Sequence, residues 1–305
     1  MKPPFADHRL LVVTGKGGVG KSSIAAALAL ASAQRDQRTL VAEVNTKERI
    51  TQLLGKPEVG AMVTSVEENL WAVNLRPQEA MREYALMILR FESIYNAVFE
   101  NRLVQYFLRF VPSLQELVLL GKLLFHLKEK RPDGSNRFDR IVVDAPATGH
   151  AITFLSVPQV ILDTVPPGPL AEDAKWMRDY LVDPLITAAV LVSLPEDMPV
   201  NETLELSKAL RERVHLERQA VVLNGFIPPR FEAGELAALA GSAPLAELAR
   251  VHELRAQMSA EAKQRLEALG APMGLVPRLY PTRFGRKSVE EIAVHLAPLF
   301  GGPAK

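Results

Sequence analysis

One ten-residue stretch constrains this chain more than any other: Thr14-Gly15-Lys16-Gly17-Gly18-Val19-Gly20-Lys21-Ser22-Ser23. It sets four glycines and two lysines between the apolar run Leu10-Leu11-Val12-Val13 and the run Ile24-Ala25-Ala26-Ala27-Leu28-Ala29-Leu30. The first run has the composition of a buried strand. The second is strong helix-forming sequence. Between them, Gly15 to Ser22 fits G-x-x-x-x-G-K-[ST], the phosphate-binding P-loop. The residue types follow from the task. Successive backbone N–H groups must curl around an anion, and glycine permits both the dihedrals and the close approach. A helix expected to begin near Lys21 points its positive dipole end at the same anion. Lys21 would reach the β- and γ-phosphates and Ser22 would ligate Mg²⁺. The expected nucleotide-binding set is therefore Gly15, Gly17, Gly18, Val19, Gly20, Lys21, Ser22 and Ser23.

The rest of the chain reads as short apolar runs alternating with helical segments. Candidate strands are 10–14, 39–44, 70–74, 140–144, 188–193, 219–223 and 273–277. Several are apolar and β-branched throughout, as parallel strands covered on both faces are. The alternation predicts an α/β fold, a doubly wound and mostly parallel sheet. Two stretches break the rhythm. Residues 77–130 read as helix only, with the apolar set Tyr84, Met87, Ile88, Phe91, Tyr95, Phe99, Tyr106, Phe107 and Phe110. Residues 159–185 are helical too, broken at Pro166-Pro167-Gly168-Pro169. The expected organisation is a P-loop core from 1–76, 131–158 and 186–305, with 77–130 and 159–185 as an inserted helical subdomain. Its aromatics serve either as that subdomain's own core or as part of an apolar groove for a helical client.

Asp144 closes the strand Ile141-Val142-Val143-Asp144, the Walker B position that holds Mg²⁺ and its waters. Composition excludes other classes. With 305 residues, 48% hydrophobic, 23% charged and a net charge of +1, nothing favours nucleic acid. The absence of cysteine excludes disulfides, thiolate metal sites and thiol catalysis. The N-terminal residues lack the apolar core of a signal peptide, and no apolar run approaches the roughly 20 residues that cross a bilayer. A cytoplasmic location is expected.

Lys16 narrows the class, because an ordinary P-loop does not need it. Gly15-Lys16-Gly17-Gly18-Val19-Gly20-Lys21-Ser22 resembles the deviant Walker A family that includes ParA, MinD, the nitrogenase iron protein and the arsenite-pump ATPase ArsA. In that family the extra lysine reaches across a dimer interface to the partner's nucleotide. The segment DAPATGHAITFL, from Asp144 to Leu155, further resembles the switch II of the ArsA and tail-anchored-protein-targeting ATPases. Pro195-Glu196 and Glu202-Thr203 resemble the P-E-x5-E-T segment of the same branch, near the interface. Asn224 stands where the family hydrogen-bonds adenine, and Pro277-Arg278-Leu279 resembles the loop covering the other side of the base. These matches run in family order over most of the chain. The likeness to ParA and MinD covers only the P-loop half.

The departures carry information as well. Family targeting members clasp zinc with a cysteine pair, and arsenite pumps bind the metalloid with thiols. This chain has no cysteine, so the resemblance implies neither zinc nor arsenite. In switch I the family reads D-P-A-H-x-L-x-D-x-F-G. An ungapped register closing on Gly55 puts Asn45 at the water-orienting aspartate, and a shift of two would put Glu43 there. Asparagine cannot take the water's proton as a carboxylate can. The resemblance thus implies an ATPase that binds ATP and Mg²⁺ between two subunits, with Lys16, Lys21 and Asn45 at the reaction and Ser22 and Asp144 at the metal. A homodimer, or a heterodimer with a paralogue, and an apolar helical client are the partners it implies. A MinD-like positioning ATPase and a hydrolysis-poor regulatory subunit are the alternatives. A MinD-like membrane helix would be basic at the C-terminus, whereas 289–299 holds two glutamates and no lysine.

Overall fold

The structure is a computed structural model that describes residues 5, 7–44, 47–82, 114–232, 234–235 and 243–300. All seven expected strands form. They are β1 (Leu10–Gly15), β2 (Thr39–Val44), β4 (Leu70–Leu75), β5 (Arg140–Asp144), β6 (Thr187–Ser193), β7 (Gln219–Phe226) and β8 (Met273–Pro277). An eighth, β3 (Thr64–Glu67), escapes sequence reading. It is a half-exposed antiparallel edge strand with no apolar alternation to reveal it. The order in the single sheet is β3-β4-β2-β5-β1-β6-β7-β8, parallel throughout except for β3. The fold is thus the α/β, mostly parallel sheet that the alternation predicts.

Side-chain alternation divides each central strand between two apolar layers. Leu11, Val13, Val41, Val142, Val190 and Val222 face one layer, with α1 (Lys21–Ala33) and α8 (Arg286–Leu296). Residues 24–33 of α1 are all buried. Alanines dominate there because the helix lies between the sheet and α8, where larger side chains would hold the layers apart. Leu10, Val12, Leu40, Ile141, Val143 and Leu191 face the other layer. It is covered by α3 (Leu114–Lys128), α4 (Thr148–Thr164), α5 (Pro169–Val182), α6 (Asp197–Ala209) and α7 (Ala243–Glu267).

Helices α3, α4 and α5 pack against one another. At Gly121 in α3 an added Cβ would lie 2.7 Å from Met177 Cε of α5, so the end of that methionine fills the space the glycine leaves. Lys128 lies over Trp176, 3.7 Å from the ring centroid, and ties the end of α3 to α5. Leu117, Leu120, Leu124, Phe154, Leu155 and Met177 belong to the same apolar cluster as the sheet face. Helix α4 runs without a break through residues 158 and 159. The aromatic set from Tyr84 to Phe110 lies outside the described residues.

Arg140 anchors the chain's first described residues to the sheet. Its guanidinium is 1% exposed and donates to the carbonyls of His8 (3.0 Å) and Phe5 (2.6 Å) and to Ser32 Oγ (3.0 Å). Burial pushes its pKa down to about 10, which still leaves it charged at neutral pH.

Candidate functional site

The parallel sheet gathers the carboxyl ends of β1, β2, β5, β6, β7 and β8 along one edge. This is where open α/β sheets bind ligands. Gly15, Glu43, Asp144, Ser193, Asn224 and Pro277 all stand there. The loop after β1 is built as the motif requires. Gly15 has φ 150°, and an added Cβ would sit 2.3 Å from the Val192 carbonyl oxygen of neighbouring β6. Gly20 caps α1 at φ 94°, with Asn224 Nδ2 2.5 Å from where its Cβ would stand. Val19 is 1% exposed and pins the loop to the core. No acidic residue occupies the first turn of α1, so its positive end meets no competing charge.

Lys21 and Ser22 of the loop converge with Asp144 at the end of β5. Lys21 Nζ donates to the Lys16 carbonyl at 3.0 Å. Burial lowers the Lys21 pKa, and Asp144 opposes that shift. Ser22 Oγ donates to Asp144 Oδ2 at 2.6 Å, across from β5. Asp144 is 3% exposed. Burial raises its pKa, opposed by the Ser22 bond and the charges of Lys21 and Arg49. A hydroxyl and a buried carboxylate at hydrogen-bond distance make a hard-oxygen pair that fits Mg²⁺ together with phosphate oxygens. Among the described residues no group of three or more histidine, aspartate and glutamate side chains could hold a metal by itself.

Beside this pair lies Glu43, paired with Asp144 across the β2–β5 ladder and 3% exposed. Its Oε1 accepts the Arg49 N–H at 2.8 Å. Burial pushes its pKa up to about 7, against the bonds from the Arg49 and Ile50 N–H groups. The Glu43 carboxylate thus accepts from N–H groups at the start of α2 (Ile50–Leu53). Asn45 lies outside the described residues.

Lys16 points away from its own loop's cavity. Its Nζ pairs with Glu202 Oε1 at 2.5 Å and touches Met198 Sδ. Thr148 Oγ1 donates to the other oxygen of Glu202 at 3.1 Å. The lysine bond is the first reason that the Glu202 pKa is lowered. Three motifs recognised separately in the sequence, around Lys16, Thr148 and Glu202, are therefore one hydrogen-bonded unit.

Asn224 Nδ2 donates to the Val19 carbonyl at 2.8 Å, so its amide buttresses the loop. The Arg278 side chain is not in the P-loop cavity. With Leu194, Gly225, Met258 and Ser259 it lines a neighbouring cavity of about 250 Å³. The P-loop cavity measures about 510 Å³ and is lined by Gly18, Gly20, Lys21, Ser22 and Ser23, together with Arg49, Gln52, Leu53, Arg283 and Phe284. Sequence reading missed these last five. Arg49, Gln52 and Leu53 lie in the switch I segment but at positions not singled out there, and no motif marks Arg283 and Phe284, which reach the loop from the turn after β8.

A P-loop at the carboxyl edge of a parallel sheet, with a Ser22–Asp144 pair under it, defines an α/β P-loop nucleoside-triphosphatase fold. Within that class, the profile of the anion-transporting ATPase (ArsA) family matches residues 8–166, and the chain belongs to that family, which places it among ATPases. It is 32% identical over 236 residues to ATPase BagA of Mycobacterium tuberculosis, covering 75% of this chain and 68% of that one. It is 29% identical over 254 residues to an arsenical pump-driving ATPase of Acidiphilium multivorum, covering 74% of this chain and 40% of that protein. It is 25% identical over 272 residues to ATPase GET3B of Arabidopsis thaliana, covering 73% of this chain and 65% of that one. Among the described residues no helix is long and apolar enough to cross a membrane.

Proposed function

We propose that this chain is a nucleotide-operated switch. It binds Mg-ATP in the P-loop cavity, two copies close on the nucleotide, and closure repositions the helices over the sheet to hold or release a client. Lys21 and the loop N–H groups hold the phosphates, and Ser22 and Asp144 hold Mg²⁺, whose charge offsets that of the β- and γ-phosphates. The base would extend from the P-loop cavity toward the neighbouring one lined by Arg278, bordered by Asn224 and the Pro277-Arg278-Leu279 turn.

The observation that carries this reading is the Lys16–Glu202–Thr148 unit. It joins the phosphate loop to the segment after β5 and to α6. Movement of Lys16 toward a nucleotide breaks its salt bridge to Glu202, the carboxylate whose other oxygen accepts from the first residue of α4. Such a link turns occupancy at the loop into displacement of a helix. Residues 77–130 and 159–185 are proposed to form the client subdomain, and an apolar helix is the proposed client. Arsenite is not proposed, because the soft thiolates that hold it are absent from this cysteine-free sequence.

Light scattering on the purified chain with Mg-ATP, Mg-ADP and no nucleotide tests the switch. The expected result is a doubling of mass with Mg-ATP alone. A mass that stays at one value in all three conditions overturns it. A pull-down in the two nucleotide states then identifies what is carried.

A further inference from the structure

Arg49 is a cation in the wall of the P-loop cavity, and of a second cavity it shares with Glu48, Glu58 and Arg76, that the P-loop motif does not call for. The segment that presents it is fixed from both sides by buried carboxylates. Glu43 accepts the Arg49 N–H at 2.8 Å from the end of β2. Glu48, 5% exposed, accepts Thr51 Oγ1 at 3.0 Å and the N–H groups of Val59 and Gly60. Both carboxylates are thus engaged with backbone and hydroxyl donors. The exposed guanidinium of Arg49 makes no hydrogen bond or ion pair among the described residues. Its backbone is held by these bonds while its side chain lines the cavity, which is the arrangement of an anion ligand positioned in advance.

Its position within the cavity selects the part of the ligand. Arg49 shares the cavity wall with Lys21 and Ser22, and its charge is felt at both Lys21 and Asp144. Those are the residues of the metal and terminal-phosphate end. The other cation of the wall, Arg283, comes from the turn after β8. Lys16 is turned away, onto Glu202.

We propose that Arg49 binds the terminal phosphate of the nucleoside triphosphate from within the same chain, and so distinguishes ATP from ADP before any second subunit arrives. This rests on the P-loop cavity being the nucleotide site. A guanidinium matches phosphate oxygens with two parallel N–H donors, which a lysine cannot reproduce.

Calorimetric titration with Mg-bound ADP and with a non-hydrolysable ATP analogue tests this on the full chain, its Arg49→Ala and Arg49→Lys variants, and Lys21→Ala. A charge-assisted hydrogen-bonded contact of this type predicts a loss of about 10- to 100-fold in triphosphate affinity for Arg49→Ala. ADP affinity should stay within about 3-fold, and Arg49→Lys should fall between. Equal losses for both nucleotides, or no loss for either, overturn the role of Arg49. If Lys21→Ala also leaves both affinities unchanged, the nucleotide site itself is misplaced, which separates that failure from the failure of Arg49 alone.

Discussion

Lys16 lies on a salt bridge with Glu202 and would have to leave it to meet a nucleotide on another subunit. Its side chain is only partly exposed, and the pair is short, at 2.5 Å. Lys16→Ala is expected to spare nucleotide binding by the single chain and to weaken ATP-dependent dimerisation, read by light scattering beside calorimetry. Normal dimerisation by the variant would remove the cross-subunit role. The neighbouring question is which residue orients water. Glu43 is buried and engaged by the Arg49 N–H, so its carboxylate serves the backbone of α2. The register read from the sequence puts Asn45 at the water-orienting position. Asn45→Asp should then raise ATP turnover by a substantial part of the roughly 10²–10⁴-fold that general-base assistance supplies. Glu43→Gln should change turnover much less. The opposite pattern in a steady-state assay identifies Glu43 as the base.

At the scale of elements, two features make specific demands. The turn from β1 into the phosphate loop has no room for a side chain at Gly15, where an added Cβ would overlap the Val192 carbonyl. Gly15→Ala should cost about 1–3 kcal/mol in strained backbone alone. It should also part β1 from β6, so chemical denaturation should show a clear loss together with weakened nucleotide binding. Helix α3 carries the second. His126 is 6% exposed, with Nδ1 2.6 Å from Glu129, and faces Arg137 and Lys122 as well. Burial lowers its pKa below the ordinary 6.5, although Glu129 opposes this. The folded chain therefore takes up a proton less readily than the unfolded chain, and stability falls as pH drops below about 6.5. His126→Leu should flatten that part of the stability curve in urea titrations between pH 5 and 7. An unchanged slope would assign the pH dependence to other groups.

For the whole molecule, the described helices over the sheet share one apolar cluster with it. Motion at α3, α4 or α5 must therefore disturb the layer against β1, β2 and β5. Hydrogen exchange is expected to show 77–130 and 159–185 less protected than the strands without nucleotide, and more protected with Mg-ATP. Uniform protection in both states would make those helices a rigid cover with no part in switching.

The sequence by itself determined the sheet and the phosphate loop, because both are written locally. A strand covered on both faces must be an apolar run, as Ile141-Val142-Val143 is, and a loop that wraps an anion must be glycine-rich at fixed spacing. Helix α1 followed from its alanines and leucines for the same reason. Strand β3 was not legible, since an edge strand exposed on one side needs no apolar pattern. Only the tertiary structure decided which distant residues share the site. Arg49 fills an unspecified position of switch I and Arg283 belongs to no motif, and they meet the loop because the parallel sheet brings every strand's carboxyl end to one edge. Lys16, Thr148 and Glu202 were each legible alone. That they form one unit depends on β1 lying between β5 and β6, and strand order is a property of long-range packing that no local spacing encodes.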